Sequence, residues 1–302
     1  MIGAHFEVAT GVAREASSIE VSKRLLPVGR LALVLACGLA PAVALAHAGL
    51  DALDATSRDE VAKHPDDPKA HLARARVLQM QGAWDPALEE IELAAARGGD
   101  PDVLGQARAF VYLEAGFPRM AKVELDRVLA RRPDLYALVF ERGRAWLAIG
   151  NAEAAARDFG ESIAKGPTPS PEQIIMQRDA LLGLGKKEEA LAALDAGMAR
   201  IGHVVSLEMP AIDLELELGR PARALERVDA LAKTGPPNPI WIARRGEILD
   251  KAGRSAEART EYEKALALIA QKPAERLARP IEDLKRRLEL ALASTDKGGT
   301  SK

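Results

Sequence analysis

The sequence predicts an all-α protein built as a solenoid of repeated helical pairs. The main observation is a set of glycines that recurs every 34 or 35 residues, at Gly82, Gly116, Gly150, Gly185, Gly219 and Gly253. An alanine follows each glycine by five residues, and a large apolar side chain follows it by nine. A fixed period of this length is typical of arrays in which each unit packs only against its neighbours. Such an array presents an extended surface rather than one central pocket.

The composition favours helices and excludes several classes of partner. Hydrophobic residues make up 48% of the chain but aromatic residues only 4%, so alanine and leucine supply most of the apolar side chains. These residues suit closely packed helices. The net charge of −2 gives no excess of lysine and arginine for general binding to phosphates. We therefore expect neither nucleic acid nor an anionic membrane surface as the partner.

The first 46 residues are typical of an N-terminal extension followed by a secretory signal peptide. Lys23, Arg24 and Arg30 precede an apolar run at residues 31–46. Small residues at positions 44, 46 and 48 fit cleavage before His47 or before Gly49. We therefore expect export to the periplasm, no membrane insertion after cleavage, and a fold that excludes residues 1–46.

Three alternatives for this segment stay open. The first is lipid attachment at Cys37, although Arg30 lies only seven residues before it and leaves little apolar chain between them. The second is an uncleaved anchor, although Pro41 interrupts the run and membrane helices need about 20 apolar residues. The third is a true start at Val21, because the mixed charges of residues 1–20 are unusual ahead of a signal peptide.

The starts and ends of the helices follow from local signals. Residues 47–67 are expected to form an N-terminal cap with one helix at Leu50–His64. A capping residue followed by proline then marks the start of the first helix in several units, at Asp67-Pro68, Asp100-Pro101, Ser170-Pro171 and Asn238-Pro239, with a weaker signal at Pro133-Asp134. The periodic glycine ends that helix, because glycine readily adopts the left-handed conformation. A second helix then completes the unit.

The C-terminal end is expected to close the array. After the repeats at residues 68–271, a cap at residues 272–294 contains a charged helix at Ala274–Ser294, which Pro280 is expected to kink. Residues 295–302 are expected to form a disordered tail. The extra residue between Gly150 and Gly185 predicts an irregular loop near residues 166–170.

The pattern resembles the tetratricopeptide repeat over residues 68–271, in about six units of 34 residues. That family has a bulky residue four before the glycine, alanine five after it and an aromatic residue nine after it. The third unit matches best, with Trp146 and Phe159, and the fifth matches worst, because Pro210, Ile212 and Glu215 depart from the pattern. The resemblance implies a right-handed superhelix that binds proteins, without specifying a particular ligand.

The resemblance also implies a concave groove formed mainly by the first helix of each unit. Positions ten, six and three residues before the glycine are expected to face it, so that the groove starts basic, is apolar in the middle and ends acidic. The expected binding residues are Lys69, Arg76, Phe110, Leu113, Phe140, Arg144, Leu147, Ile175, Asp179, Leu182, Met209, Asp213 and Glu247. An exposed apolar patch of this kind is typical of an interface. We therefore expect Phe140→Glu to abolish partner binding without unfolding the protein. The asparagine and lysine of the family's clamp for a C-terminal carboxylate are missing from this face, so that activity is not expected.

A second periodic feature concerns charge. Units one, two, three and six carry arginine eight residues before the glycine and an acidic residue eight after it, whereas units four and five have neither. The four pairs are Arg74 with Glu90, Arg108 with Glu124, Arg142 with Asp158, and Arg245 with Glu261. Their joint occurrence predicts an ion pair between the two helices of a unit.

These observations predict a non-enzymatic, exported scaffold that binds a peptide or protein segment in the groove. The sequence has no metal-ligand spacing, phosphate-binding glycine loop or nucleophile elbow, so we expect no cofactor and no catalytic or metal site. One alternative is an accessory subunit of an envelope enzyme or transporter complex, held through the convex face. A remote alternative is a metal carrier, in which the imidazole and free amine of an N-terminal His47 chelate copper.

Overall fold

The computed structural model describes residues 40–271 and 278–298, with side chains at 49–271 and 278–293. Most of the expected signal peptide therefore lies outside the described residues. The chain divides into one unit that ends at Asp51 and a second that begins at Ala52. Of the first unit, the structure describes helical backbone at residues 40–51. The features below belong to the second unit.

Over the described ranges the chain forms fourteen helices and no strand. They are α1 (Ala40–Lys63), α2 (Pro68–Met80), α3 (Trp84–Ala96), α4 (Pro101–Glu114), α5 (Pro118–Arg131), α6 (Tyr136–Ile149), α7 (Ala152–Lys165), α8 (Pro171–Gly183), α9 (Lys187–Ile201), α10 (Val205–Glu217), α11 (Pro221–Ala232), α12 (Pro239–Lys251), α13 (Ser255–Ala270) and α14 (Arg279–Gly298). None of these helices has the length and apolarity of a membrane span.

Helices α2 to α13 form six helix-turn-helix pairs, and each helix packs against the next one along the chain. First helices of neighbouring pairs also touch, as α2 does with α4 and α8 with α10. Helix α14 packs on the last pair. This arrangement is the helical solenoid that the glycine period predicts.

The predicted helix boundaries are confirmed for the repeats. All six periodic glycines have φ between 72° and 91°, in the left-handed region that ends a helix. The side chains of Asp67, Asp100 and Asn238 each accept a backbone N–H from the first turn of the helix that follows. Ser170 forms a reciprocal capping box with Gln173. Local chemistry therefore fixes the ends of all six first helices and the starts of four. Helices α6 and α10 instead begin after Leu135 and Val204, which make no side-chain capping hydrogen bond.

The core is built from the alanines and large residues that recur after each glycine. In the third and sixth pairs, the large residue is aromatic and glycine faces it from the first helix. A Cβ on Gly143 would lie 2.7 Å from the ring of Phe159, and a Cβ on Gly246 would lie 2.5 Å from the ring of Tyr262. In the first pair, the smaller Ile91 is combined with Ala75. The two positions are thus matched in volume, as dense packing requires.

Both ends of the array differ from the expectation. Helix α1 begins at Ala40 rather than Leu50, because the alanine-rich segment before Leu50 favours helix, and it runs through both expected cleavage positions. Helix α14 begins at Arg279, so Pro280 stands in its first turn, where proline disrupts no hydrogen bond, and does not kink it. The same helix continues to Gly298, so residues 295–298 are helical rather than part of a tail.

The predicted ion pair between the two helices of a unit is confirmed in three pairs. Arg142 donates to Asp158 through Nε at 2.7 Å and through Nη2 at 2.9 Å. At the equivalent positions of the sixth pair, Arg245 Nη1 lies 2.9 Å from Glu261, and in the second pair Arg108 Nη1 lies 4.0 Å from Glu124.

The first pair departs from this pattern, so the prediction for Arg74 and Glu90 is wrong. Arg74 instead binds Asp54 and Ser57 of α1, which supplies an acidic residue to that position. Glu90 is bound by the buried His71, whose Nδ1 lies 2.6 Å from its carboxylate.

The same arginines also reach the preceding pair, which the sequence analysis did not anticipate. Arg108 lies 2.8 Å from Glu92, and Arg142 lies 3.4 Å from Asp126; both acids stand ten residues after the preceding glycine. Arg245 makes the equivalent contact with Asp229 at 3.1 Å. In the fourth pair Gln177 holds the position of the arginine, and it faces Gly160 at the position of the acidic residue in the preceding pair. This contact is therefore uncharged. Each arginine therefore ties its own pair to the one before it.

In the fifth pair the two charges are exchanged, so that the arginine stands on the second helix and the acidic residues stand on the first. Arg227 stands on the second helix, and it lies 3.3 Å from Glu208 and 3.5 Å from Glu215 of the first helix. It also reaches Asp195 of the preceding pair at 2.7 Å. Both glutamates are buried. This compensation explains how Glu215, which departs from the repeat pattern, is accommodated in the buried side of α10.

Candidate protein-binding face

One face of the array is formed by the first helices α2, α4, α6, α8, α10 and α12. It carries the side chains that stand 13, 10, 9, 6, 3 and 2 residues before each periodic glycine. Residues spaced by three, four and seven lie on the same side of a helix. Contacts of α2 with α4 and of α8 with α10 place first helices beside one another. We call the surface formed by the side chains at these positions the first-helix face.

The apolar middle of this face is only partly accessible. Five of the predicted binding residues are half-buried and pack in part against the core beneath them: Phe110, Leu113, Ile175, Leu182 and Met209. Leu147 is the most accessible of the predicted apolar residues, with 37% of its surface exposed. The middle of the face therefore offers shallow apolar contacts rather than protruding side chains.

The prediction that Phe140 lies exposed in the groove is wrong. Only 5% of Phe140 is accessible, and its ring packs at a tilt against Phe159, with ring centroids 4.7 Å apart. Gly143, one helical turn further on, leaves the space that Phe159 occupies. Phe140 is therefore part of the core between α6 and α7, and Phe140→Glu would damage the fold rather than remove a binding contact.

The basic end of the face is present but smaller than expected. Lys69 and Arg76 are exposed on α2, and neither forms an ion pair with any described residue. Arg144, in contrast, donates to Glu141 at 2.6 Å. Burial raises the pKa of Glu141, and the nearby Glu114 carboxylate raises it further, while Arg144 opposes the shift.

The acidic end of the face is largely neutralised within the protein. Asp179 lies 2.7 Å from Arg178. Arg244 of α12 binds both Asp213 of α10 and, at 2.9 Å, Glu247 of its own helix. Arginines outside the three positions considered in the sequence thus compensate Asp179, Asp213 and Glu247. Asp250, three residues before the last periodic glycine, is exposed and forms no ion pair with a described residue, so the acidic end is smaller than expected.

The structure adds two accessible apolar residues to the face that the sequence analysis missed. Met80 is 56% exposed and Val103 is 46% exposed, on α2 and α4. Met80 stands two residues before Gly82, and Val103 stands thirteen residues before Gly116. Helical spacing places both positions on the same side of the helix as the positions three, six and ten residues before the glycine. The first helices of the first three repeats thus carry Lys69, Arg76, Met80, Val103 and Leu147.

Two apolar features lie at other positions. Phe117, at the N-cap of α5, and Met120 and Val123 within the helix follow one side at intervals of three residues, and each has at least 40% of its surface exposed. A cavity of about 540 Å³ lies beside the turn between α11 and α12, where Pro236 and Trp241 form part of its lining.

Across the described part of the chain, no cluster of three histidine, cysteine or acidic residues could hold a metal ion.

Comparison with known proteins gives matches within the repeat array. The family model described as tetratricopeptide repeat matches residues 107–171 and 210–274. DnaJ homolog subfamily C member 3 of Mus musculus is 30% identical over 109 residues, which cover 35% of this chain and 21% of that protein. Cellulose synthase operon protein C of Xanthomonas axonopodis pv. citri (strain 306) is 31% identical over 152 residues, which cover 49% of this chain and 10% of that protein. The chain thus spans only a small part of either curated relative.

The fold is shared with a solved structure at low sequence identity. The crystal structure of PilW, a widely conserved type IV pilus biogenesis factor, superposes with a TM-score of 0.51 and 18% identity. The match covers 64% of this chain and 89% of that one. The six helical pairs, the left-handed glycines at a 34-residue period and the matching family model together establish that this chain belongs to the tetratricopeptide repeat family.

Proposed function

We propose that this tetratricopeptide repeat protein is a scaffold that binds a segment of another protein along the first-helix face. The observation that carries the proposal is the row of accessible and half-buried apolar side chains on successive first helices, including Met80, Val103, Phe110 and Leu147. An apolar surface that continues from one helix to the next is suited to a bound helix or extended segment.

The binding energy would come from a few apolar anchors. Full burial of a methionine, valine or leucine side chain contributes about 1.5–3 kcal/mol relative to its exposed state. Interfaces usually depend on a small number of such residues, with surrounding polar groups excluding water. Leu147 and Met80 are the best candidates because they expose apolar surface in the free protein.

We also propose that the protein acts after export, in the periplasm. This location rests on the basic residues at positions 23, 24 and 30 and on the apolar run that follows them.

A charge on the face tests the proposed binding site. Peptides are selected from a displayed random library on the full chain, and Leu147→Glu should then abolish their binding while the circular dichroism spectrum stays unchanged. The reason is that the new carboxylate is solvated in the free protein but loses its hydration in the complex. Glu89→Lys on α3, an exposed residue of a second helix, is the matched control and should leave binding unchanged. Full binding by Leu147→Glu would contradict the proposal.

A second candidate function is supported by the apolar row on α5. Phe117, Met120 and Val123 are exposed on a second helix, where the same positions of other repeats include charged residues such as Glu89 and Arg157. This row would suit an accessory subunit that a larger envelope complex holds through its convex face. Met120→Glu should then release the protein from the complex, whereas Leu147→Glu should not.

A further inference from the structure

We infer that the segment bound by the first-helix face is acidic as well as apolar, and that it docks on the first three repeats. This inference rests on the proposed function, because it specifies the partner of the same face. It is argued from three observations: two cations on α2 that form no ion pair with a described residue, the apolar residues near them, and the balanced charges at the C-terminal end of the face.

The first observation is the unbalanced positive charge on α2. Lys69 and Arg76 stand seven residues apart, two helical turns on one side of the helix, and both are exposed. Neither forms an ion pair with a residue in the described ranges. The other arginines of the face, Arg144 and Arg244, are each held by a carboxylate. The first repeat therefore attracts anionic groups more strongly than the rest of the face.

The second observation is that most of the accessible apolar surface lies close by in the array. At the six positions that define the face, four large apolar residues of the described chain are exposed. Three of them are Met80 on α2, Val103 on α4 and Leu147 on α6, and only Ile240 lies further along, on α12. Met80 shares α2 with the two cations, and α2 touches α4, which carries Val103, so the basic and apolar groups lie at the same end of the array.

The third observation is that the C-terminal part of the face carries no excess of one charge. Arginines neutralise Asp213 and Glu247, and the neighbouring Asp250 and Lys251, which are exposed and form no ion pair with a described residue, have opposite charges. Arg244 binds Asp213 and Glu247, so it connects α10 with α12. Arg287 of α14 approaches Glu247 at 3.7 Å. A basic partner segment would have to displace these arginines to reach Asp213 and Glu247, and beside the exposed Asp250 it would meet the positive charge of Lys251. Charge complementarity therefore favours an acidic partner at the first repeat and offers no matching preference for a basic one at the last.

The bound segment would thus place its acidic side chains beside Lys69 and Arg76, and its apolar side chains over Met80, Val103 and Leu147. The apolar contacts would provide most of the affinity, and the charges would set the direction of the segment and accelerate its association. Binding should weaken as salt is added, because exposed charges are screened at distances beyond about 10 Å in 0.1 M salt.

The test uses a random peptide library displayed for selection on the full chain at low ionic strength. We expect the selected peptides to be enriched in aspartate or glutamate next to large apolar residues. The double variant Lys69→Glu and Arg76→Glu should weaken the binding of these peptides by about tenfold, as expected for the loss of two exposed ion pairs. Arg157→Glu on α7 is the matched control, since Arg157 is also exposed, also forms no ion pair with the described residues, and lies on a second helix. It should change the affinity less than about twofold.

The outcomes separate this inference from the proposed function. The inference would be wrong if the selected peptides were neutral or basic, or if acidic peptides bound the double variant normally. The proposed function would still stand in either case, provided that Leu147→Glu abolished the binding of these peptides. If Leu147→Glu left the binding of every selected peptide intact, the proposed function and the inference would both be wrong. Circular dichroism of each variant confirms that the helices remain folded.

Discussion

Arg142 and Asp158 form an ion pair with two hydrogen bonds between the helices of the third repeat, at 2.7 Å and 2.9 Å. Arg142 also reaches Asp126 of the second repeat at 3.4 Å, so that one guanidinium connects α5, α6 and α7. The hydrogen bonds that Arg142 donates to the Asp158 carboxylate raise the pKa of Arg142 above its ordinary value. The arginine is therefore charged throughout the pH range in which proteins fold, and the contact does not depend on pH through this group.

Removing Arg142 should destabilise the array, because Asp158 is only 8% exposed and would lose both of its hydrogen bonds. We expect Arg142→Ala to lower the free energy of unfolding by about 2 kcal/mol, measured by urea denaturation. Arg157→Ala on α7 is the control and should change stability by less than about 0.5 kcal/mol, since Arg157 is exposed. Equal effects of the two substitutions would show that the ion pair contributes nothing.

The reversed ion-pair cluster of the fifth repeat should be more sensitive, because Arg227 faces two buried glutamates. Arg227→Ala would leave Glu215 only the longer contact with Arg220 at 4.0 Å, and Glu208 only its contact with the exposed His203. We expect a loss of about 3 kcal/mol in the free energy of unfolding. The control is Arg223→Ala on the same helix, whose pair with Glu226 is exposed and worth at most about 1 kcal/mol. A loss for Arg227→Ala no greater than that of the control would contradict the interpretation.

Alkaline pH should weaken the sixth repeat through Tyr262. Burial raises the pKa of Tyr262 to about 12, whereas an unfolded tyrosine titrates near 10. Above pH of about 10 the unfolded chain loses this proton and the folded protein retains it, so stability is complete below that pH and falls as pH rises towards 12. Urea denaturation across this range should show a smaller decline for Tyr262→Phe than for the unaltered protein. Identical declines would rule out a contribution from this hydroxyl group.

The N-terminal segment predicts where the mature protein begins. Because small residues at 44, 46 and 48 follow an apolar run, we expect N-terminal sequencing of periplasmic protein to start at His47 or Gly49. A chain that begins at Met1 or Val21 in a soluble cytoplasmic fraction would contradict export. The same measurement decides the copper hypothesis, which needs His47 as the first residue.

The sequence predicts the repeats well because their signals are local. The period of the glycines, and capping residues such as Asp67 and Ser170, act within one or two turns of chain and need no knowledge of the neighbours.

The binding face is harder to predict, since exposure depends on what packs against each position. Phe140 occupies an expected groove position, yet Phe159 covers it from the second helix. Asp213 is neutralised by Arg244, which lies 31 residues later in the next repeat.

The matched volumes in the core give a further prediction, at Gly143. A Cβ at this position would lie 2.7 Å from two ring atoms of Phe159 and 3.3 Å from the backbone oxygen of Ala155. Gly143→Ala should therefore lower the free energy of unfolding by about 1–3 kcal/mol, even though alanine favours helix by about 1 kcal/mol over glycine. Urea denaturation measures the difference.

Gly183 provides the matched control, because it also lies in a first helix but a Cβ there would have no neighbouring heavy atom within 4 Å. Gly183→Ala should raise the free energy of unfolding by up to about 1 kcal/mol through helix propensity alone. The double variant Gly143→Ala and Phe159→Leu should recover part of the loss, since the second pair combines Ala109 with Leu125 at the same two positions. A stabilising Gly143→Ala would mean that Phe159 moves freely, and the volume matching between the two helices would then not determine how tightly the third repeat packs.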